Sequence, residues 1–255
     1  MISKQKIELI RSLKDRKARA KGGLFAAEGS KLVFDLLQTT LVPSELFMKA
    51  EGLAAYQGRL DSLTIHQISD KEMERISMFK NPSPVLALFK IPAVDPVTSD
   101  SFQGLNLVLD GIQDPGNLGT IVRIADWFGI SGIFCSADCA DVYNPKSVQA
   151  TMGALARVQV HYLDLSGFLQ EASDFKIPVY GTFMEGENVF ETDLSANALI
   201  LMGSEGKGIS TKLEGYLTKK ISIPSYPAGH KELESLNVAV SAAIICAEFR
   251  RRMNT

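Results

Sequence analysis

The sequence predicts an α/β fold in two parts, and three observations carry that prediction. Strand-like and helical stretches alternate along the whole chain. The run Leu105 to Leu109 is apolar without polar alternation, as in a parallel sheet covered on both faces. Between Ile91 and Gly104 the text turns to Pro92, Pro96, Ser99, Asp100, Ser101 and Gly104, the composition of a connection.

Taken in order, the chain opens with a basic helix near Ile2 to Leu13, a strand at Leu24 to Ala27 and a helix from Ser30 to Gln38. Strands at Leu46 to Lys49, Leu63 to His66 and Val85 to Phe89 follow, separated by helical stretches at Glu51 to Leu60 and Asp70 to Met78. This alternation implies a small α/β sandwich over residues 1–96, with 97–104 as linker. Residues 105–255 then form the second domain, with strands at Leu105 to Leu109, Gly132 to Cys135, Val158 to His161, Val179 to Phe183, Ala198 to Met202 and Lys220 to Ile223. With helices between them, these make a six-stranded layout. The final helix, Asn237 to Phe249, is apolar in every direction around a 3.6-residue period, so it must be covered all round, by the sheet and another body or by a partner subunit.

Composition narrows the class. At 45% apolar and 22% charged, the 255 residues bury a core and exclude a disordered chain. The formal charge of -2 hides an asymmetry: Met1 to Lys21 holds eight basic residues against Glu8 and Asp15, a net of +6 that leaves -8 for the rest. Such an arm suits a phosphate backbone, but on charge alone a solvated first helix accounts for it more readily. Cys135, Cys139 and Cys246 are too few and wrongly spaced for a disulfide framework or a zinc pair, which points to a reducing compartment. His66, His161 and His230 share no helical face with a carboxylate at ligand spacing, so no metal is expected. No apolar segment follows the charged N-terminus, and the most apolar stretch, Leu236 to Ala247, falls short of the ~20 residues a membrane span needs. A cytoplasmic protein is expected.

Three loops follow strands. The first, Asp110 to Arg123, opens a helix whose apolar stripe is Leu118, Ile121, Val122, Ala125 and Phe128, with Arg123 projecting away. Taken alone, Asn117 reads as a helix cap and Arg123 as a solvated arginine. Trp127, on the same helix, is able to stack a base or to pack at an interface. The second loop, Met202 to Ser210, is glycine-rich but is no P-loop, because Gly208 follows Lys207 where Ser or Thr belongs. Thr211 and Glu214 there have capping-box spacing. The third runs from Ile221 to Pro224, through Tyr226, Pro227, His230 and Lys231, into Glu234 to Val238, where Ser235 and Asn237 suit helix caps. A nicotinamide-binding oxidoreductase would need a glycine fingerprint at the first turn, which Asp110-Gly-Ile-Gln-Asp-Pro lacks.

In order, DPGNLGTIVR, LMGSEGKGIS, ISIP and ESLNVAVSAAI resemble the three motifs of the SpoU/TrmH family of RNA ribose 2'-O-methyltransferases, within the SPOUT superfamily. The stretch Phe25-Ala-Ala-Glu-Gly29, leading into a helix, is similar to the family's small N-terminal substrate-binding domain, of L30e-like type. The resemblance implies a deep trefoil knot in the C-terminal domain, S-adenosylmethionine as cofactor, and a homodimer whose site is completed across the subunit interface. It implies Arg123 as the catalytic arginine, with Asn117, Glu205, Ser235 and Asn237 as further catalytic-site residues. Gly203, Ser204, Gly208, Ile223, Leu236 and Asn237 would hold the cofactor, much of it by backbone.

The implied chemistry needs no metal. The sulfonium is already electrophilic, and the site must bring a ribose hydroxyl in line at about 3 Å and offset its proton. Arg123 suits this by holding the adjacent phosphate and stabilising the developing alkoxide; a role as base conflicts with an arginine pKa above about 12. Ribosomal RNA of the 23S type is the favoured substrate, with transfer RNA or non-catalytic RNA binding as alternatives. The sequence departs from the family in two places. The stretch from Pro224 to Ser235 is longer and richer in Tyr, Pro and His than the usual turn, and Gln149 stands where relatives often have arginine.

Overall fold

A computed structural model describes residues 2–56, 63–226 and 235–253. In chain order the elements are α1 (Lys4–Ser12), α2 (Arg16–Gly22), β1 (Leu24–Glu28), α3 (Ser30–Leu36), β2 (Pro43–Met48), α4 (Ala50–Ala55), β3 (Ile65–Gln67), α5 (Asp70–Ile76) and β4 (Val85–Lys90). They continue with β5 (Leu105–Asp110), α6 (Pro115–Trp127), β6 (Ile133–Cys135), α7 (Pro145–Thr151), β7 (Val160–Tyr162) and α8 (Leu165–Asp174). The last are β8 (Val179–Asn188), β9 (Ala198–Gly203), α9 (Thr211–Glu214), β10 (Lys219–Ser222) and α10 (Val238–Met253).

Contacts divide the chain into two compact units, residues 1–93 with 141–156, and residues 94–140 with 157–255. The expected second domain, 105–255, therefore differs from the observed unit, because α7 and its flanks belong with the first.

In the first unit the sheet order is β1-β4-β2-β3, antiparallel except for the β2–β3 pair. Its strands alternate their side chains between two cores. Val85, Ala87 and Phe89 of β4 join Leu32, Val33 and Leu36 of α3, and Val148 and Leu155 of the inserted segment, on one face. Leu86 and Leu88 meet Ile7, Ile10 and Leu13 from the N-terminus and Met73 and Ile76 of α5 on the other. The expected helix at Ile2 to Leu13 is α1. α2, not expected from the sequence, follows it, capped by Asp15, which accepts from the Ala18 N–H at 3.0 Å.

Arg19 explains why the inserted segment stays. Its guanidinium, 2% exposed, donates to Asp141 Oδ2 through Nε at 2.9 Å and to the Leu13 carbonyl at 2.7 Å. A buried cation without a carboxylate is costly, so Asp141 is fixed to the first unit by charge as Val148 and Leu155 are by burial.

The second unit holds a six-stranded sheet, all parallel, in the order β10-β8-β9-β5-β6-β7. All six residues of β5 are buried, as a central strand covered on both faces requires. β8 runs on to Asn188, five residues past the expected Phe183.

α10 packs on α6 and is tied down at its end. Arg250 Nε donates to the Phe128 carbonyl at the C-terminus of α6 at 2.6 Å. Buried Glu248 accepts from Arg251 Nε at 2.8 Å and Arg252 Nε at 2.7 Å, and the Arg251 hydrogen bond above all lowers its pKa to about 2. The expectation of all-round burial does not hold within one chain: Val238, Ala242, Ile245, Cys246 and Phe249 are buried, but Val240 is 48% exposed and Ala247 is exposed.

Replacing Asp141 with alanine leaves the Arg19 guanidinium buried without its carboxylate, and is expected to cost about 3–5 kcal/mol. Urea titration of the intact chain checks this, and a loss below about 1 kcal/mol would show that Arg19 finds compensation elsewhere.

Candidate functional site

Because every strand of the large sheet runs the same way, β5, β9 and β10 all deliver their C-terminal ends, Asp110, Gly203 and Ser222, to one edge. Ligands collect at that edge in open α/β sheets. A cleft of about 270 Å³ lies there, between the turn after β5 and the loop after β9.

The turn after β5 is held from beneath. Ser136 Oγ accepts from the Gly111 N–H at 2.9 Å and donates to Asp138 at 2.6 Å. Cys139 Sγ accepts from the Ile112 N–H at 3.2 Å and donates to the Leu109 carbonyl at 3.3 Å. Hydrogen bonding from Cys135 lowers the Cys139 thiol pKa to about 7 against the opposing effect of burial. Asp114 then caps α6, accepting from the Asn117 N–H at 2.7 Å, with Pro115 in the first turn. Asn117 is thus not the cap, and its side chain is left for other work.

The loop after β9 folds back on itself: Gly208 N–H donates to the Ser204 carbonyl at 2.8 Å. A Cβ on Gly203 would come within 2.0 Å of the Gly208 carbonyl carbon, and Gly208 has φ +67°. Both positions therefore require glycine. Asp110 accepts from the Ser210 N–H at 2.7 Å, binding the far end of this loop to β5. Ser210, not Thr211, precedes α9, and no capping box forms with Glu214.

Glu205, at the tip of that loop, joins the three motifs. Its Oε1 accepts from Asn237 Nδ2 at 2.8 Å, from Asn117 Nδ2 at 3.2 Å and from the Val238 N–H at 3.2 Å. Asn237 Nδ2 also donates to Asn117 Oδ1 at 3.0 Å. Asn237 caps α10, its Oδ1 accepting from the Ala239 N–H at 3.0 Å and the Val240 N–H at 3.3 Å. The carboxylate therefore sits at the positive end of a sixteen-residue helix.

Of the residues expected from sequence, Asn117, Ser204, Glu205 and Gly208 line the cleft, Gly203 ends the strand beneath it, and Asn237 is bonded to it. Arg123, Ile223, Ser235 and Leu236 are not among its lining residues. Arg123 lies six residues beyond Asn117, about 9 Å along the helix axis and on another face. It is exposed, and none of the described residues holds it by a hydrogen bond or ion pair. Ser235 is exposed and is not the cap, and Leu236 is 50% exposed. Residues 227–234, which include His230 and Lys231 of the long third loop, lie outside the described residues.

Sequence reasoning missed Asp110, Asp114 and Asp138, which among the described residues line the cleft with Glu205 against a single cation, Lys207. Four carboxylates to one ammonium make the cleft acidic, suited to a cationic ligand and hostile to phosphate. Asp110 and Asp114 were visible as acids around the first turn, whereas Asp138 reaches the cleft from the connection after β6. Among the described residues no helix is long and apolar enough to cross a membrane, and no three His, Cys, Asp or Glu side chains converge as metal ligands. His66 instead bonds Glu45 at 3.0 Å, and His161 stacks on Phe134, burial lowering its pKa.

A parallel α/β domain with a glycine-built acidic cleft at its strand ends, together with a separate small α/β unit, defines a ligand-binding enzyme of two domains. The chain belongs to the SpoU rRNA methylase family, whose model matches residues 104–247. The model of an MRM3-like substrate binding domain matches residues 4–87. The chain is 27% identical to the 23S rRNA (guanosine(2553)-2'-O)-methyltransferase of Bacillus subtilis, over 96% of each chain. Among solved structures, it is similar to a protein assigned to the TrmH family of RNA methyltransferases from Porphyromonas gingivalis, at 40% identity, 99% coverage of both chains and a TM-score of 0.86. An rRNA methyltransferase of Sinorhizobium meliloti, solved with AdoMet bound, is 28% identical with a TM-score of 0.83, covering 99% of this chain and 97% of that one.

Asn237→Ala is expected to cost about 1 kcal/mol as a lost cap and to weaken S-adenosylmethionine binding, because it also frees Glu205. Calorimetric titration beside a melting curve separates the two effects; unchanged cofactor affinity would show that the network serves stability alone. Gly203→Ala should abolish cofactor binding through displacement of the loop.

Proposed function

We propose that this chain transfers the methyl group of S-adenosylmethionine to a ribose 2'-hydroxyl of ribosomal RNA, of the 23S type. The observation that carries this reading is the Glu205 network, which joins all three family motifs at an acidic cleft. When bound, the cofactor supplies a methyl group already activated on a cationic sulfur. Gly203, Ser204 and Gly208 would hold it through backbone, with Ile223 and Leu236 contributing from the ends of their own segments. The four carboxylates favour its positive charge. Glu205, Asn117 and Asn237 keep the loops in register while it binds. Arg123 holds the phosphate next to the reacting ribose and stabilises the oxygen as its proton passes to solvent water. The cationic guanidinium does this without acting as base.

Arg123 stands clear of its own chain's cleft, and this supports a homodimer in which it serves the partner's. The same side of α6 carries Trp127, 84% exposed, and α10, packed beside it, leaves Val240 and Ala247 bare. A monomer gains nothing from such an apolar surface. We further infer that the second unit carries the deep trefoil knot of the SPOUT fold, and that the protein acts in the cytoplasm, where its three buried thiols stay reduced.

Transfer of labelled methyl to unmodified large-subunit rRNA is expected, with label resistant to alkaline cleavage at one nucleotide. Arg123→Ala should lower the rate at least about 100-fold. Label in transfer RNA alone would change the substrate, and failure of the wild type to bind the cofactor would move the protein to non-catalytic RNA binding. Trp127→Glu is expected to convert dimer to monomer in analytical ultracentrifugation and to reduce transfer with it; a monomeric wild type would overturn the shared site.

A further inference from the structure

Glu28 is a carboxylate that the methyl-transfer site does not use, and it is only 3% exposed. Its Oε1 accepts from Ser77 Oγ at 2.8 Å and from the Ser83 N–H at 2.9 Å, and its Oε2 accepts from the Met78 N–H at 2.8 Å. Three hydrogen bonds from one buried anion fix the loop between α5 and β4 at both ends. That loop presents Phe79, half-buried, and Asn81, exposed.

Both residues line a second cleft of about 290 Å³, within the first unit, together with Glu28, Gly29, Ser83 and Gln149. Gly29 has φ +117°, and a Cβ there would point toward Gln149 Nε2 at 3.9 Å. A side chain at that position would enter the cleft. The lining has an aromatic ring, half-buried, and two carboxamides, each able to donate and accept, which is the chemistry that reads an unstacked base on its edge.

Charge around the cleft fits the same ligand. Each lining segment carries an exposed lysine: Lys31 two residues after Gly29, Lys80 between Phe79 and Asn81, and Lys146 one helical turn before Gln149. Among the described residues none of these three ammonium groups is in an ion pair. The first unit as a whole carries sixteen basic and eleven acidic residues, a net of +5.

We propose that this cleft is a subsite for one unpaired nucleobase of the substrate RNA. The base stacks on Phe79 and is hydrogen-bonded by Asn81 and Gln149, and the phosphates on either side are held by Lys31, Lys80 and Lys146. Glu28 acts as a positioning residue, through the loop alone. The inference rests on RNA being the substrate.

The test uses the full chain, filter binding to an in vitro transcript of large-subunit rRNA at several salt concentrations, steady-state methyl transfer, and calorimetry with S-adenosylmethionine. Phe79→Ala is expected to weaken RNA binding about 5- to 100-fold and to raise KM, with kcat at saturating RNA and cofactor affinity unchanged. Phe79→Tyr should restore binding. Gln149→Ala, at an exposed position that does not threaten folding, should weaken binding without changing the salt dependence. Lys80→Ala should lower the slope of log affinity against log salt by about 0.7. Should the wild type bind and methylate RNA while Phe79→Ala and Gln149→Ala stay within twofold of it, the subsite is wrong and the methyltransferase reading stands. A wild type that neither binds nor methylates RNA overturns both.

Discussion

One carboxylate oxygen governs the large unit. Glu205 Oε1 takes hydrogen bonds from residues 88 positions before it and 32 after it, and so closes three separate loops into one structure. The parallel sheet makes this possible, since only there do β5 and β9 end side by side. The glycines make it specific: a Cβ at Gly203 would drive the loop away from Gly208 and carry Glu205 with it. The energy of each bond is modest at a solvent-exposed site, on the order of 1 kcal/mol. Their value lies in register, because a shift of any one loop breaks bonds to the other two.

Charge is divided between the units as the chemistry demands. The first has a net of +5, and the second, with eleven basic and eighteen acidic residues, a net of -7. An anionic polymer is attracted to the former and repelled by the acidic cleft of the latter, where a cation is favoured. The formal charge of -2 for the whole chain conceals both surfaces.

Much of this was legible in the sequence, for identifiable reasons. The strands of the large sheet were visible because central parallel strands are unbroken apolar runs, as Leu105 to Leu109 and Ala198 to Met202 are. Asn117, Glu205 and Asn237 were visible as motif residues, and the structure brings them together. The role of Asn117 at its helix was misplaced by one turn, because Asp114 and Asn117 are both good caps and Pro115 decides between them. The membership of α7 in the first unit was invisible, since it depends on a pairing of Arg19 with Asp141 across 122 positions. Asp138 and Cys139 escaped for the same reason: nothing local marks a residue that supports a turn some 25 positions earlier.

The apolar last helix shows how a correct physical inference can be incomplete. All-round apolarity required a cover on every side, and one chain supplies it for Ala242, Ile245 and Phe249 but not for Val240 and Ala247. The neighbouring helix presents Trp127 bare and Arg123 unpaired among the described residues. An apolar surface wants cover, and under the proposed reaction an acidic cleft without an arginine of its own needs a cation from elsewhere to hold the phosphate beside the ribose. The proposed second copy of this chain would meet both needs at once, because the residue that reaches outward lies on the same helix as the ring that needs burying.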